Sequence, residues 1–105
     1  MTDRDDGSTI SLSPGEVVEL VLDENATTGY LWSIAQRPEG LHLDDDGYHL
    51  PGDARPGAGG RHWFRFHVEP STEGSSEGTL IAELRRPWES DGPAERTFRV
   101  TIRAG

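Results

Sequence analysis

Apolar residues in this chain recur at every second position, in short runs, and no segment sustains a 3.6-residue period. Val18, Leu20 and Leu22 form one such run, and Tyr30, Trp32 and Ile34 another. Phe64, Phe66 and Val68 follow, then Leu80, Ala82 and Leu84, then Phe98, Val100 and Ile102. A period of two is the spacing of side chains on one face of a β-strand, so the chain is restricted to an all-β fold. Gly, Pro, Asp and Asn gather between the runs, where turns need them. Strands are expected over residues 9–12, 16–22, 30–35, 41–44, 61–68, 79–84 and 97–102. The stretch 45–60 has a poor strand signal, relieved only by Tyr48, His49 and Leu50. About seven short strands in 105 residues predict a single immunoglobulin-like antiparallel β-sandwich. Trp32 then falls near the middle of the third strand, where such sandwiches bury a Trp. The whole chain, 1–105, is expected as one domain, with residues 1–8 as a flexible N-terminal tail.

The composition narrows the chemistry. There is no Cys, which excludes disulfides, thiolate metal sites and thiol catalysis. The net charge is -9, and an acidic chain repels phosphate backbones, so nucleic acid is excluded as a partner. No run reaches membrane-spanning length, so no membrane partner is expected. The first residues carry neither a basic nor an apolar leader segment. The expectation is a cytoplasmic protein if the chain is complete, and an exported one if a leader has been removed. No Gly-x-Ser-x-Gly elbow, His-Glu-x-x-His helix or Walker loop occurs, so no catalytic residues are assigned and the protein is read as a non-enzyme. His42, His49, His62 and His67 form no ligand pattern, with His62 and His67 on opposite strand faces; neither metal nor cofactor is expected. Asp44, Asp45, Asp46 and Gly47 lack the spacing of a calcium loop and read as a solvated turn.

Three loop stretches carry the functional signal. In the first, Asn25, Ala26, Thr27, Thr28, Gly29 and Tyr30, the two Thr are stiff at χ1. Asn25 and the hydroxyls can brace the turn, and Gly29 permits positive φ and close approach by another surface. In the second, Gly57, Ala58, Gly59 and Gly60, no helix or Lys follows to hold a phosphate. In the third, Pro87 fixes its own φ and pushes Arg86 toward extended geometry, which prepares Trp88 for display. Trp and Arg are enriched in interface hot spots. Taken singly, the first two read as a strand connection and a flexible turn, while the third favours a displayed Trp88 over one folded back as a lid on the core.

Strand parity joins them. In an antiparallel sandwich each strand reverses the last, so loops two strands apart return to the same end. The loops after the second, fourth and sixth strands hold the three stretches. An extra strand at 48–50 would break this parity.

Asn-x-Thr-Thr-Gly-Tyr, Gly-x-Gly-Gly and Arg-Pro-Trp, in this order, resemble the chagasin family of cysteine-peptidase inhibitors, from about Ile10 to Ile102. The resemblance implies an immunoglobulin-type sandwich that blocks papain-like cysteine peptidases reversibly; a monomer is the default for an inhibitor with one working edge. It implies that Thr27, Thr28 and Gly29 enter the cleft near the enzyme's catalytic cysteine. Gly57, Ala58, Gly59, Gly60, Arg86, Pro87 and Trp88 would then grip its two sides. Ala26 stands where the family usually has Pro, a change worth about 0.4–1 kcal/mol of preorganisation. The alternative is an immunoglobulin-like adhesion or assembly module that binds another protein through the same loop edge.

Overall fold

The computed structural model describes residues 1–24, 29–49, 59–70, 76–89 and 92–104. Its strands are β1 (Thr9–Leu12), β2 (Val17–Glu24), β3 (Leu31–Gln36), β4 (Leu41–His49), β5 (Gly60–Val68), β6 (Ser76–Arg85) and β7 (Arg96–Ala104). They form a sheet in the order β1-β7-β6-β3 and a second in the order β2-β5-β4. Neighbours pair antiparallel, except that β1 runs parallel to β7. That exception follows from alternation: the first and seventh strands point the same way.

The expected alternation carries the core. Leu20, Leu22, Phe64, Phe66 and Val68 from one sheet meet Leu80, Ala82, Phe98, Val100 and Ile102 from the other, and all are buried. Trp32 is buried on β3, with its indole N–H donating to the carbonyl of Asp23 at 2.8 Å.

Three sequence expectations change. The fourth strand does not stop at residue 44, and Asp44, Asp45, Asp46 and Gly47 do not turn. β4 runs on to His49 through a bulge between Leu43 and Asp45. Tertiary partners make these poor strand residues tolerable. His67 Nδ1 lies 2.6 Å from Asp44, and His62 Nε2 lies 2.7 Å from Asp46. At Gly47 the Trp63 ring occupies the space: a Cβ there would lie 2.7 Å from Trp63 Cζ2. Tyr48 and His49 therefore belong to β4 and add no strand, while Leu50 lies outside the described residues. β2 and β6 are also longer than expected: β2 ends at Glu24, and β6 begins at Ser76 instead of Thr79. Finally, residues 1–8 are tied down where a flexible tail was expected. The Met1 ammonium donates to Glu19 O at 2.6 Å, and Thr2 forms a bridge with Val21. A short 3-10 turn, Asp3–Asp5, is capped by Thr2, and the Gly7 N–H donates to Arg99 O at 2.7 Å. The segment thus crosses from the edge of one sheet to the other and satisfies backbone groups that a free tail would leave to water.

Candidate functional site

Arg86, Pro87, Trp88 and Glu89 form a tight turn in which the Glu89 N–H donates to the carbonyl of Arg86 at 2.9 Å. Pro sits at the second position, where its fixed φ is already that of a turn. Below the turn, the Glu95 N–H donates to Leu84 O at 2.9 Å and closes the base of the loop. Trp88 is thereby held outward, at 70% exposure, and does not fold back over the core.

The ring is exposed yet not unsupported. Gly29 has φ of 80°, and a Cβ on it would lie 2.8 Å from Trp88 Cη2. The bare backbone of one loop is the seat for the aromatic ring of another. The Arg86 guanidinium lies 4.4 Å from the centre of the Tyr30 ring and 6.0 Å from that of Trp88. Cation–π attraction at these distances adds to the link between the two loops.

The Gly-rich stretch arrives at the same end. Gly60 is buried because the Tyr48 hydroxyl and the His49 carbonyl oxygen sit 2.6 Å from where its Cβ would be. Gly59 borders the carbonyl of Glu24. Glu24, Tyr30, Gly59, Gly60, Leu84 and Arg96 line one shallow depression between the loops. Gly29, Tyr30, Gly59, Gly60, Arg86, Pro87 and Trp88 are therefore gathered at one end of the sandwich. Asn25, Ala26, Thr27, Thr28, Gly57 and Ala58 lie outside the described residues.

Beneath this edge is a polar network that sequence reasoning missed. Glu24 is buried at the end of β2, and its Oε2 accepts the Trp32 backbone N–H at 2.7 Å. The same oxygen lies 2.9 Å from His62 Nδ1, whose ring is stacked on Phe64 at 4.3 Å. The Tyr48 hydroxyl donates to the Glu24 carbonyl at 3.0 Å. The signal was present in the alternation. Glu24 continues the inward series Val18, Leu20, Leu22, and His62 precedes Phe64, Phe66 and Val68 on the inward face of β5. His67 points outward on the same strand, as the spacing predicts. Among the described residues, no group of three or more His, Asp or Glu is placed to hold a metal ion. Trp63 faces away from the core and covers Gly47, with the Arg65 guanidinium 5.2 Å from its ring centre.

Residues 11–102 match the family model described as Chagasin family peptidase inhibitor I42. The chain belongs to the chagasin family. Amoebiasin-1 of Entamoeba histolytica is 31% identical over 107 residues, an alignment that covers 97% of this chain and 95% of that protein. Chagasin of Trypanosoma cruzi is also 31% identical, with 97% and 92% covered. In fold, the chain is similar to the crystal structure of the cysteine protease inhibitor EhICP2 from Entamoeba histolytica, with a TM-score of 0.76 at 21% identity. That superposition covers 100% of this chain and 92% of that one. Members of the family are peptidase inhibitors rather than enzymes.

Proposed function

We propose that this chagasin-family protein is a reversible, non-covalent inhibitor of papain-like cysteine peptidases that occludes the active-site cleft with three loops. Family membership supports the activity. The contact between Trp88 and Gly29 is the observation that carries the mode of action, because it makes one wedge from loops remote in sequence. Thr27, Thr28 and Gly29 are the residues assigned to the cleft, with Asn25, Ala26 and Tyr30 framing them. The stretch from Gly57 and Ala58 to Gly59 and Gly60 takes one wall, and Arg86, Pro87 and Trp88 take the other. The three-loop edge is suited to bury about 800 Å² per partner, a standard interface. Nothing in the chain needs to react: inhibition is steric, needs no cofactor, membrane or nucleic acid, and works one molecule to one peptidase.

The test is a titration against papain with a fluorogenic peptide. Micromolar protein should block hydrolysis, and activity should return on dilution. Full hydrolysis at that dose would leave an adhesion or assembly role for the same edge. Thr28→Asp should abolish inhibition with the melting temperature nearly unchanged. Loss of both together would give Thr28 a structural role.

A further inference from the structure

The polar network under the loop edge does more than fill space. Glu24 is the last residue of β2 and immediately precedes the loop at 25–30, while Trp32 is the second residue of β3, just beyond it. The Glu24 carboxylate holds the Trp32 N–H at 2.7 Å, and the Trp32 indole holds the Asp23 carbonyl at 2.8 Å. Both ends of the loop are therefore tied to one another, across the two sheets. His62 stands behind this tie. Its Nδ1 lies 2.9 Å from Glu24 Oε2, and its Nε2 lies 2.7 Å from Asp46 Oδ2.

Each ring nitrogen thus faces a carboxylate. An ionised carboxylate only accepts, and an imidazole donates from both nitrogens only as the imidazolium. Glu24 is an acceptor already, since it takes the Trp32 N–H. Asp46 is half exposed, at 49%, so water stabilises its ionised form. A neutral His62 would turn one lone pair toward a carboxylate at under 3 Å. It would also leave the Glu24 charge, whose side chain is only 3% exposed, without its ionic partner. The other groups around the ring do not replace it. Phe64 stacks on one face, and Tyr48 of β4 spends its hydroxyl on the Glu24 carbonyl. The guanidinium of Arg96 of β7 lies 5.8 Å from the centre of the Trp32 ring. Arg61 lies on the outward face opposite His49 in the β4–β5 register, with its Nε 3.6 Å from Asp23 Oδ1.

We propose that His62 is a positioning residue which, only while protonated, holds Glu24 and the Trp32 N–H together at the base of the loop edge, so that the edge grips its target more tightly in acid than in mildly alkaline solution. The inference rests on the inhibitory reading for its consequence, but its structural half can be read without a peptidase. Histidine changes charge across about pH 5 to 8, which sets the range to scan.

The experiment uses the full chain and two variants, His62→Gln and Asp46→Asn. First, the Trp32 amide resonance of the free protein is followed by NMR across that range. It should shift with pH in the parent, stay still in His62→Gln, and shift at lower pH in Asp46→Asn, where one anion beside the ring is gone. Second, the dissociation constant for papain is measured at each pH, and the ratio of variant to parent is taken, which cancels the peptidase's own titration. The His62→Gln ratio should be about ten-fold or more near pH 5.5 and close toward one near pH 8, the size expected for a hydrogen bond to a charged group. A ratio that does not change with pH, or a Trp32 amide that does not move in the parent, overturns the proposal. If His62→Gln does not fold, the displaced profile of Asp46→Asn decides in its place. A parent whose Trp32 amide titrates but which leaves papain active at every pH would sink the inhibitory reading and leave the positioning role standing.

Discussion

At the scale of single residues, the loop edge depends on one exposed ring and one missing side chain. Trp88 loses little on unfolding because it is already 70% exposed. Trp88→Ala should therefore weaken papain inhibition by about 2 kcal/mol or more, as hot-spot truncations do. Its melting temperature should match the parent's. Equal inhibition by mutant and parent would remove Trp88 as an anchor. Gly29 is different, since both its φ of 80° and the Trp88 ring 2.8 Å from a would-be Cβ oppose a side chain. Gly29→Ala places an L-residue in left-handed backbone, at about 1–2 kcal/mol, and pushes the ring off its seat. Urea denaturation should show the first effect and a titration against papain the second.

At the scale of elements, β4 shows how a strand can be built from residues that disfavour one. Asp44 and Asp46 are carried by His67 and His62 of β5, and its glycine by Trp63. The two glycines on this pair of strands have separate roles. Gly47 lies under Trp63 on the outward face of the sheet. Gly47→Ala should cost about 1–3 kcal/mol of stability, as overpacking does, and leave inhibition by the folded protein intact. Gly60 abuts the His49 carbonyl and the Tyr48 hydroxyl, at the base of the Gly-rich loop. A carbonyl in a sheet cannot swing aside as a ring can. Gly60→Ala should lower stability and inhibition together, since it also disturbs the Tyr48 bond to Glu24. Unchanged inhibition for Gly60→Ala, measured where it is fully folded, would separate that loop base from the binding edge.

At the scale of the whole molecule, most of the stability lies in the core between the sheets, apart from the loop edge proposed to bind. The core is a single layer between the sheets, with no disulfide to support it. Phe66 is fully buried at its centre, so Phe66→Ala should cost about 3–5 kcal/mol, a large share of a small domain's total. The fraction that stays folded should inhibit as the parent does, because the loops are carried by the sheet frame and not by that side chain. A comparison of denaturation midpoint with inhibition at low temperature checks both halves. Much of this frame could be read from the chain alone. Period-two runs such as Phe64, Phe66, Val68 and Phe98, Val100, Ile102 dictate strands and their buried faces, because side-chain direction in a strand is local geometry. Parity then brought three loops to one end, since reversal at each turn needs no knowledge of packing. The length of β4, the docking of residues 1–8, the seat of Trp88 on Gly29 and the Glu24–His62–Asp46 network were decided only on folding. Each depends on a partner supplied from another strand or loop, and a contact between residues far apart along the chain leaves no periodicity in it.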